Sequence, residues 1–447
     1  MKNVASGNLQ GVVKLLAEIV GKDNVLHEPY DLVAYSRDRY PLLTHPRHGV
    51  RPLAVVRPAT TDEVREVVVL ANKHHVPLTP RGSGTNYAGS AVPVKEGVVL
   101  DLTRMNKILS IHDDSMSAKV QAGVILQNLE EALNDKGFTF GHDPGSFPSA
   151  TVGGCISTWS LGWKAGKYGD MGSLVLALKV VLPTGVVVET REVPKSSTGF
   201  DVKSLFIGAE GALGVITEAL LRIHPLPEKR VILMYSFNSF EQAYKSLLKV
   251  FRSGLTPTTS YAEDSIDEQG AVIFLGYEGV KEVVEAQVKR AVSILEAEGG
   301  TKLDDKVTRE YWLNRHDMFS QMNKEGSADS VDTAIPVSKV LEFHEFLKEW
   351  VKRSGVKPLG IGSWVLPENL GIDFAFDETE AEKYVAARDE LASKALELGG
   401  TVSYCVGVGQ RFPHLMSKEH GSALDVMKKI KRALDPNNIM SPRGLGL

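Results

Sequence analysis

The sequence predicts an α+β fold in more than one part, and three observations carry the prediction. Short β-rich runs alternate with amphipathic helical stretches along most of the chain. Three glycine-rich loops, at residues 80–93, 142–158 and 207–217, all lie in the first half. After Pro227 the alternation continues without comparable loops, so a second α+β domain begins there.

With 447 residues the chain exceeds one ordinary core, and two or three domains are expected. A net charge of -4 argues against a nucleic-acid binder that relies on a basic field. No apolar run is long enough to span a bilayer, and residues 1–16 lack the basic-then-apolar order of a signal peptide, so the cytoplasm is the expected compartment. Cys155 and Cys405 are far apart and form no Cys-x-x-Cys pair, which excludes a disulfide framework and a cysteine-based zinc or iron–sulfur site.

Residues 9–20 have helical spacing and stop at Gly21, whereas residues 31–49 show no clear period and are expected to be irregular. Residues 53–56 read as a buried strand. Thr60 and Glu63 then form a capping box for a helix whose apolar face is Val64, Val67, Val68 and Ala71. A strand at 76–79 leads into the first loop, giving a βαβ beginning. In that loop Gly82, Gly84 and Gly89 free the backbone, while Ser83, Thr85 and Asn86 add short polar side chains. Such a loop aims N–H groups at an anion such as a phosphate, although it matches neither the P-loop nor the dinucleotide fingerprint.

Strands are expected at 97–102 and 118–123, a helix at 126–136, and a rigid loop at 142–158. Pro183 to Gly185 reads as a hairpin turn between strands 176–182 and 186–189. Beyond Pro227, strands are expected at 231–237, 271–277, 333–335 and 372–376, and helices at 240–252, 280–298, 337–354 and 379–398. A tail helix over 417–434 is expected to turn Lys428, Lys429, Lys431 and Arg432 to solvent. Three glycine loops beside regular elements suggest one extended ligand.

Four stretches together resemble the flavin-binding elements of the vanillyl-alcohol-oxidase, or PCMH-type, flavoproteins. They are Pro80-Arg81-Gly82-Ser83-Gly84-Thr85-Asn86; Asp143-Pro144-Gly145-Ser146 with Thr151-Val-Gly153-Gly154; residues 208–218; and residues 435–439. The resemblance is strong over about residues 50–225 and in the tail, and weak between. It implies FAD between two small α+β subdomains, in a domain of residues 1–227. A cap of residues 228–408 would cover the ring, and residues 409–447 would return to the FAD domain. The implied contacts include all these loop residues and also Ile156, Ser157, Thr158, Glu210, Gly211, Gly214, Val215, Ile216 and Asn438. Some family members bind flavin covalently through a histidine in the first loop. No histidine stands there, so the resemblance implies non-covalent FAD.

Two branches are similar: the D-lactate, glycolate and D-2-hydroxyglutarate dehydrogenases, and alkyldihydroxyacetonephosphate synthase. Where the first carries metal ligands, this chain has Trp364, Gly371, Cys405 and Val406, and no catalytic metal is expected. The second branch's histidine run is missing before Gly407. Tyr311 to His316 resembles a cap element whose arginine faces an anionic substrate group. It points to Arg315 as the substrate's counter-ion, by bidentate geometry. The structural alternative for Arg315 is a salt bridge with Glu310 or Asp317. Tyr404 is a candidate proton donor or acceptor if its pKa is lowered, with a packed aromatic as the commoner case; Trp364 is a further substrate-side residue. His316 and His142 are the remaining candidate bases, and Cys405 reads as a small core residue.

The resemblance therefore implies an FAD-dependent oxidoreductase that moves hydride from a small anionic 2-hydroxy acid to flavin N5, with an unidentified electron acceptor and room for a homodimer. A synthase-like transferase without net redox, and a flavin-binding subunit of a complex, are the alternatives.

Overall fold

A computed structural model describes residues 6–39, 50–265, 270–317 and 327–447. Its first sheet contains β1 (Val25–Leu26), β2 (Ala54–Val56), β3 (Leu78–Arg81) and β4 (Val98–Asp101), in the order β1-β2-β4-β3. The strand–helix–strand unit expected from the sequence is present. Its two strands, β2 and β3, do not touch, because β4 inserts between them and pairs parallel with both. Ala54, Val55, Val56 and Leu78 are all fully buried, which explains their uninterrupted apolar spelling. The connecting helix Thr61–His74 starts where Thr60 accepts a hydrogen bond from the Glu63 N–H and stops at His75, in a left-handed conformation.

Strands β5 (Ile108–His112), β6 (Ser117–Gln121), β7 (Phe138–Thr139), β8 (Val175–Val181), β9 (Val187–Glu189), β10 (Val215–Arg222) and β11 (His224–Pro225) follow. Five of them form an antiparallel sheet, β5-β6-β10-β8-β9, while β7 pairs with β11. The hairpin around residues 183–185 joins β8 and β9 as expected. One apolar core, from Val12 to Ile223, serves both sheets and also takes in Ile439 and Met440 from the tail. Leu78 on β3 bridges Met440 in parallel, so the tail lies along the outer edge of that strand.

The remaining strands, β12 (Lys229–Phe237), β13 (Thr259–Asp264), β14 (Ala271–Gly279), β15 (Thr301–Lys302), β16 (Ser327–Ala334), β17 (Lys357–Trp364) and β18 (Asn369–Phe376), make one sheet. Its order is β15-β12-β14-β13-β17-β18-β16. Alternation along the strands divides their side chains between two faces. Leu233, Tyr235, Ile273, Leu275, Leu370 and Ile372 pack with the helices Phe240–Arg252, Lys281–Ala297, Val340–Ser354 and Ala381–Glu397. The other face carries Met234, Phe274, Tyr261 and Trp364, which cluster with Trp163 of the first half. On β16 and β18 the same face carries Ser330, Asp332, Asn369 and Asp373.

Several expectations need correction. Pro29–Tyr35 is a helix rather than irregular chain, and residues 40–49 of that stretch lie outside the described residues. The loop at 142–158 contains a helix, Val152–Ser157, capped by Thr151. Strands β13 and β17 were not expected; β17 is spelled with Pro358, Gly360 and Gly362, which weaken the β signal. The tail helix is broken at Gly421 into Met416–His420 and Ala423–Leu434. Lys431 is buried, donating to Asp435 and to the carbonyls of Ala212 and Met440 at 2.8 and 2.7 Å. Three acceptors compensate the ammonium for lost water, so it does not stand on a solvated face.

Candidate active site

One cavity runs between the three glycine loops and the polar face of the seven-stranded sheet β12–β18. From the first loop its walls include Pro80, Arg81, Gly82, Ser83, Gly84, Thr85 and Asn86. The second loop contributes Pro144, Gly145, Ser146, Thr151, Gly153, Gly154, Ser157 and Thr158, and the third Glu210, Gly211, Gly214 and Ile216. Pro80 and Ile216, 136 positions apart in the sequence, thus converge on one cavity.

Close backbone approach explains the glycines. A Cβ on Gly82 would lie 2.1 Å from Thr151 Oγ1, and one on Gly153 would lie 2.7 Å from Ala122 Cβ. Thr151 Oγ1 in turn accepts the N–H of Gly154 at 3.3 Å, so the first loop leans directly on the helix cap of the second. Glu210, at φ 48, is buried and pins the third loop to the chain after the cap. Its carboxylate accepts the N–H of Val408 at 2.6 Å and of Gly409 at 3.0 Å. Burial nevertheless pushes this carboxyl up to about 7, against the pull of those two N–H groups.

Other expected residues stand elsewhere. Ile156 and Val215 belong to the apolar core, because they point to the inner side of their elements. Asn438 is on an exposed turn, and its N–H donates to the Asp435 carbonyl at 3.0 Å. Asp143 is not on the cavity wall but behind it. Its carboxylate meets Arg315 Nη2 at 2.9 Å and His316 Nε2 at 2.5 Å.

Arg315 therefore spends its charge on Asp143, not on Glu310, Asp317 or the cavity, and its guanidinium lies 4.1 Å from the Trp312 ring centre. His316 is tied to the same carboxylate and stacks on Phe147. Burial raises the Asp143 carboxyl, but the His316 hydrogen bond and the Arg315 charge outweigh it and hold the group at about 2. Tyr404 is also off the cavity wall, donating to Glu368 at 2.9 Å. Burial and Glu368 push its phenol up, the opposite of what proton transfer near neutrality needs. His142 is buried against Ser160 at 2.7 Å, and burial lowers it to about 4.

Trp364 does line the cavity, and so do Cys405 and Val406. Its indole lies across the paired glycines Gly362 and Gly371, where added Cβ atoms would come within 3.1 and 2.8 Å of the ring. It stacks on Tyr261, its partner on β13, at 6.1 Å. Beside it on the wall stand Ser330, Asp332, Asn369 and Asp373, none of which sequence reasoning singled out. The available signal was polar residues on one face of two strands, at 330 and 332 and, on either side of Gly371, at 369 and 373. Burial pushes the Asp373 carboxyl up to about 7, with Asp332 adding to the effect against a hydrogen bond from Ser330. The cationic side chains on the wall, among the described residues, are Arg39 and Arg81, both at the first loop.

These residues fit a flavin dinucleotide. The wall is built from glycine backbone and short polar side chains, and the buried Ser83 hydroxyl has no partner among the described residues. A cradle of this kind holds a pyrophosphate with backbone dipoles, and Arg39 and Arg81 beside it add positive charge. No three His, Cys, Asp or Glu side chains among the described residues are arranged to hold a metal ion.

Comparison with known proteins agrees. Residues 52–191 match the FAD binding domain family, and residues 226–445 match the C-terminal domain of FAD linked oxidases. The chain is similar to glycolate oxidase subunit GlcD of Bacillus subtilis, at 29% identity over 96% of each chain. It is equally similar to a D-lactate dehydrogenase of Anaerostipes hadrus, at 29% identity over 88% of this chain and 89% of the other. A solved structure of alkyldihydroxyacetonephosphate synthase superposes with a TM-score of 0.81 at 24% identity, over 97% of this chain and 84% of that one. The two matched regions, in this order and around this cavity, make the chain a member of the FAD-linked oxidase family, an FAD-binding oxidoreductase.

Proposed function

We propose that the chain oxidises a small 2-hydroxy acid of the glycolate or D-lactate kind, with FAD held non-covalently in the glycine-lined cavity. The observation that carries this reading is the continuity of one cavity from the glycine loops to the polar face of the cap sheet. The names of the glycolate oxidase and D-lactate dehydrogenase relatives support the substrate class.

Bound FAD supplies a two-electron acceptor for hydride. The chain's own part is to hold and orient. Backbone at Gly82, Gly84, Gly153 and Gly154 forms the cradle, and the aromatic face around Trp364, Tyr261 and Trp163 keeps water from the far wall. Arg39 and Arg81 place positive charge beside the first loop, where it favours the phosphates of the dinucleotide. We divide the chain for this purpose into an FAD domain of residues 1–227, a cap of 228–408 and a returning segment of 409–447. The proposed setting is cytoplasmic, in keeping with the unpaired Cys155 and Cys405.

Anaerobic addition of glycolate and D-lactate to the purified flavoprotein tests the reading. Bleaching of the flavin band is expected, and acid precipitation should leave the yellow colour in the supernatant. No bleaching by any 2-hydroxy acid, together with binding of an acyl-dihydroxyacetone phosphate, would replace this reading with a transferase. The stretches Thr151 to Gly154, Ile156 to Thr158 and Lys167 to Gly169 resemble the synthase branch and favour that second reading.

A further inference from the structure

The cap side of the cavity is a wall of acceptors. Ser330 and Asp332 on β16 face it with Asn369 and Asp373 on β18, and Ser330 stands directly opposite Asp373 in the register. Opposite Asp332 is Gly371, which leaves the Trp364 ring space to lie across it. Asn369 is only 1% exposed. Its amide is oriented by donation from Nδ2 to the Trp364 carbonyl at 3.0 Å, and its Oδ1, buried on this wall, has no partner among the described residues. Trp364 Nε1 is likewise buried without a partner among the described residues. Buried polar groups are nearly always paired, so an acceptor and a donor left open on one cavity wall mark a ligand's place.

The surrounding charge narrows the ligand. Asp332 is held by the N–H of Cys405 at 2.9 Å and has the Tyr87 hydroxyl at 3.5 Å. Asp329 lies behind, against Arg411 and Tyr384, and Glu263 on β13 adds a further carboxyl next to Asp373. Arg411 is turned away from the wall onto the Ser330 carbonyl, at 2.6 Å. A second carboxylate or a phosphate at this end would face like charge, and an alkyl tail would leave Asn369 Oδ1 and Trp364 Nε1 unpaired. An ammonium satisfies acceptors but not Trp364 Nε1, whereas a hydroxyl both donates and accepts.

We infer that the cap end of the cavity receives a hydroxyl-bearing chain, so that the preferred substrate is a polyhydroxylated 2-hydroxy acid rather than bare glycolate or lactate; this rests on the hydroxy-acid reading given above. The hydroxyls donate to Asn369 Oδ1 and to the Asp373 carboxyl, and one accepts from Trp364 Nε1.

Equilibrium binding to the holoprotein under anaerobic conditions, read as a shift in the flavin absorbance, tests it with 2,3,4-trihydroxybutanoate against 2-hydroxybutanoate. The two ligands differ only in the hydroxyls that would meet the wall. Tighter binding of the trihydroxy acid by about tenfold or more is expected. In Asn369→Leu that ratio should fall toward one, and Asp373→Asn, a nearly isosteric change, should reduce it if the first variant does not fold. Equal binding of the two acids, an unchanged ratio in the folded variants, or no binding of either overturns the inference. A hydroxyl preference without flavin bleaching would sink the oxidation reading and leave the wall as a hydroxyl-binding site only; bleaching by both acids without a preference would sink the inference and leave the oxidation reading.

Discussion

Arg315 and Asp143, separated by 172 residues in the sequence, meet with Nη2 2.9 Å from Oδ2, and this pair ties the cap to the second glycine loop. His316 grips the other carboxylate oxygen, and the Trp312 ring lies beneath the guanidinium. The arginine that the sequence offered as a substrate ligand thus acts on the loop next to the cavity.

Replacing Arg315 with methionine leaves a buried carboxylate with half its compensation. Removing one partner of such a pair costs about 3 kcal/mol. The Arg315→Met protein should unfold at a clearly lower denaturant concentration. An unchanged midpoint with a raised KM would return Arg315 to the substrate.

The same carboxylate sets an acid limit. Asp143 is held at about 2 in the folded protein, against an ordinary value of 3.8. A depressed folded pKa gives stability that is complete above the unfolded value and lost as pH falls through the folded one. Stability should therefore decline from about pH 4 toward about pH 2. Denaturant midpoints across that window, compared with Asp143→Asn, measure the contribution; parallel curves for the two proteins would exclude it.

Gly82→Ala should empty the flavin site without unfolding the cap. The new methyl falls 2.1 Å from Thr151 Oγ1, so the first loop or the cap of Val152–Ser157 has to give. Flavin content per protein, from the ratio of visible to ultraviolet absorbance, is expected to drop by roughly tenfold or more, the equivalent of about 1.4 kcal/mol. Full loading would show that the loops are not the cradle.

Glu210 works in the opposite sense from Asp143. Its carboxyl is raised to about 7 from 4.5, so its contribution is complete below the unfolded value and lost as pH rises through the folded one. Wild type should lose on the order of 2 kcal/mol between about pH 5 and about pH 8 from this group. Glu210→Gln keeps an acceptor for Val408 or Gly409 but does not titrate, and its denaturation midpoint should be flatter over the same range. Equal slopes would sink the assignment.

What was legible in the sequence follows from how local each signal is. The glycine loops could be read because close backbone approach, as of Gly82 to Thr151, demands a residue type and not a distant partner. The helix from Thr61 could be read because its cap, Thr60, meets its partner Glu63 only three residues on. The acceptor wall could not, since Asn369 and Asp373 reach the cavity only through a strand pairing with residues 327–334. Nor could the fates of Arg315 and Lys431, whose partners Asp143 and Ala212 are brought up by other loops. A cation's neighbours in space, not its neighbours in sequence, decide whether it meets solvent, a ligand or a buried carboxylate.

The contact between Leu78 and Met440 bears on how the cofactor cradle is made. β3 is the last strand of its sheet, and its free edge would present unpaired backbone groups if the tail did not run beside it. The Leu78 N–H donates to the Ile439 carbonyl at 2.7 Å, and the Leu78 carbonyl accepts from the Ser441 N–H at 2.8 Å, two positions before the first loop begins. A fragment that stops short of residue 439 keeps every glycine of the loops yet leaves the strand that aims the first of them as a bare, sticky edge.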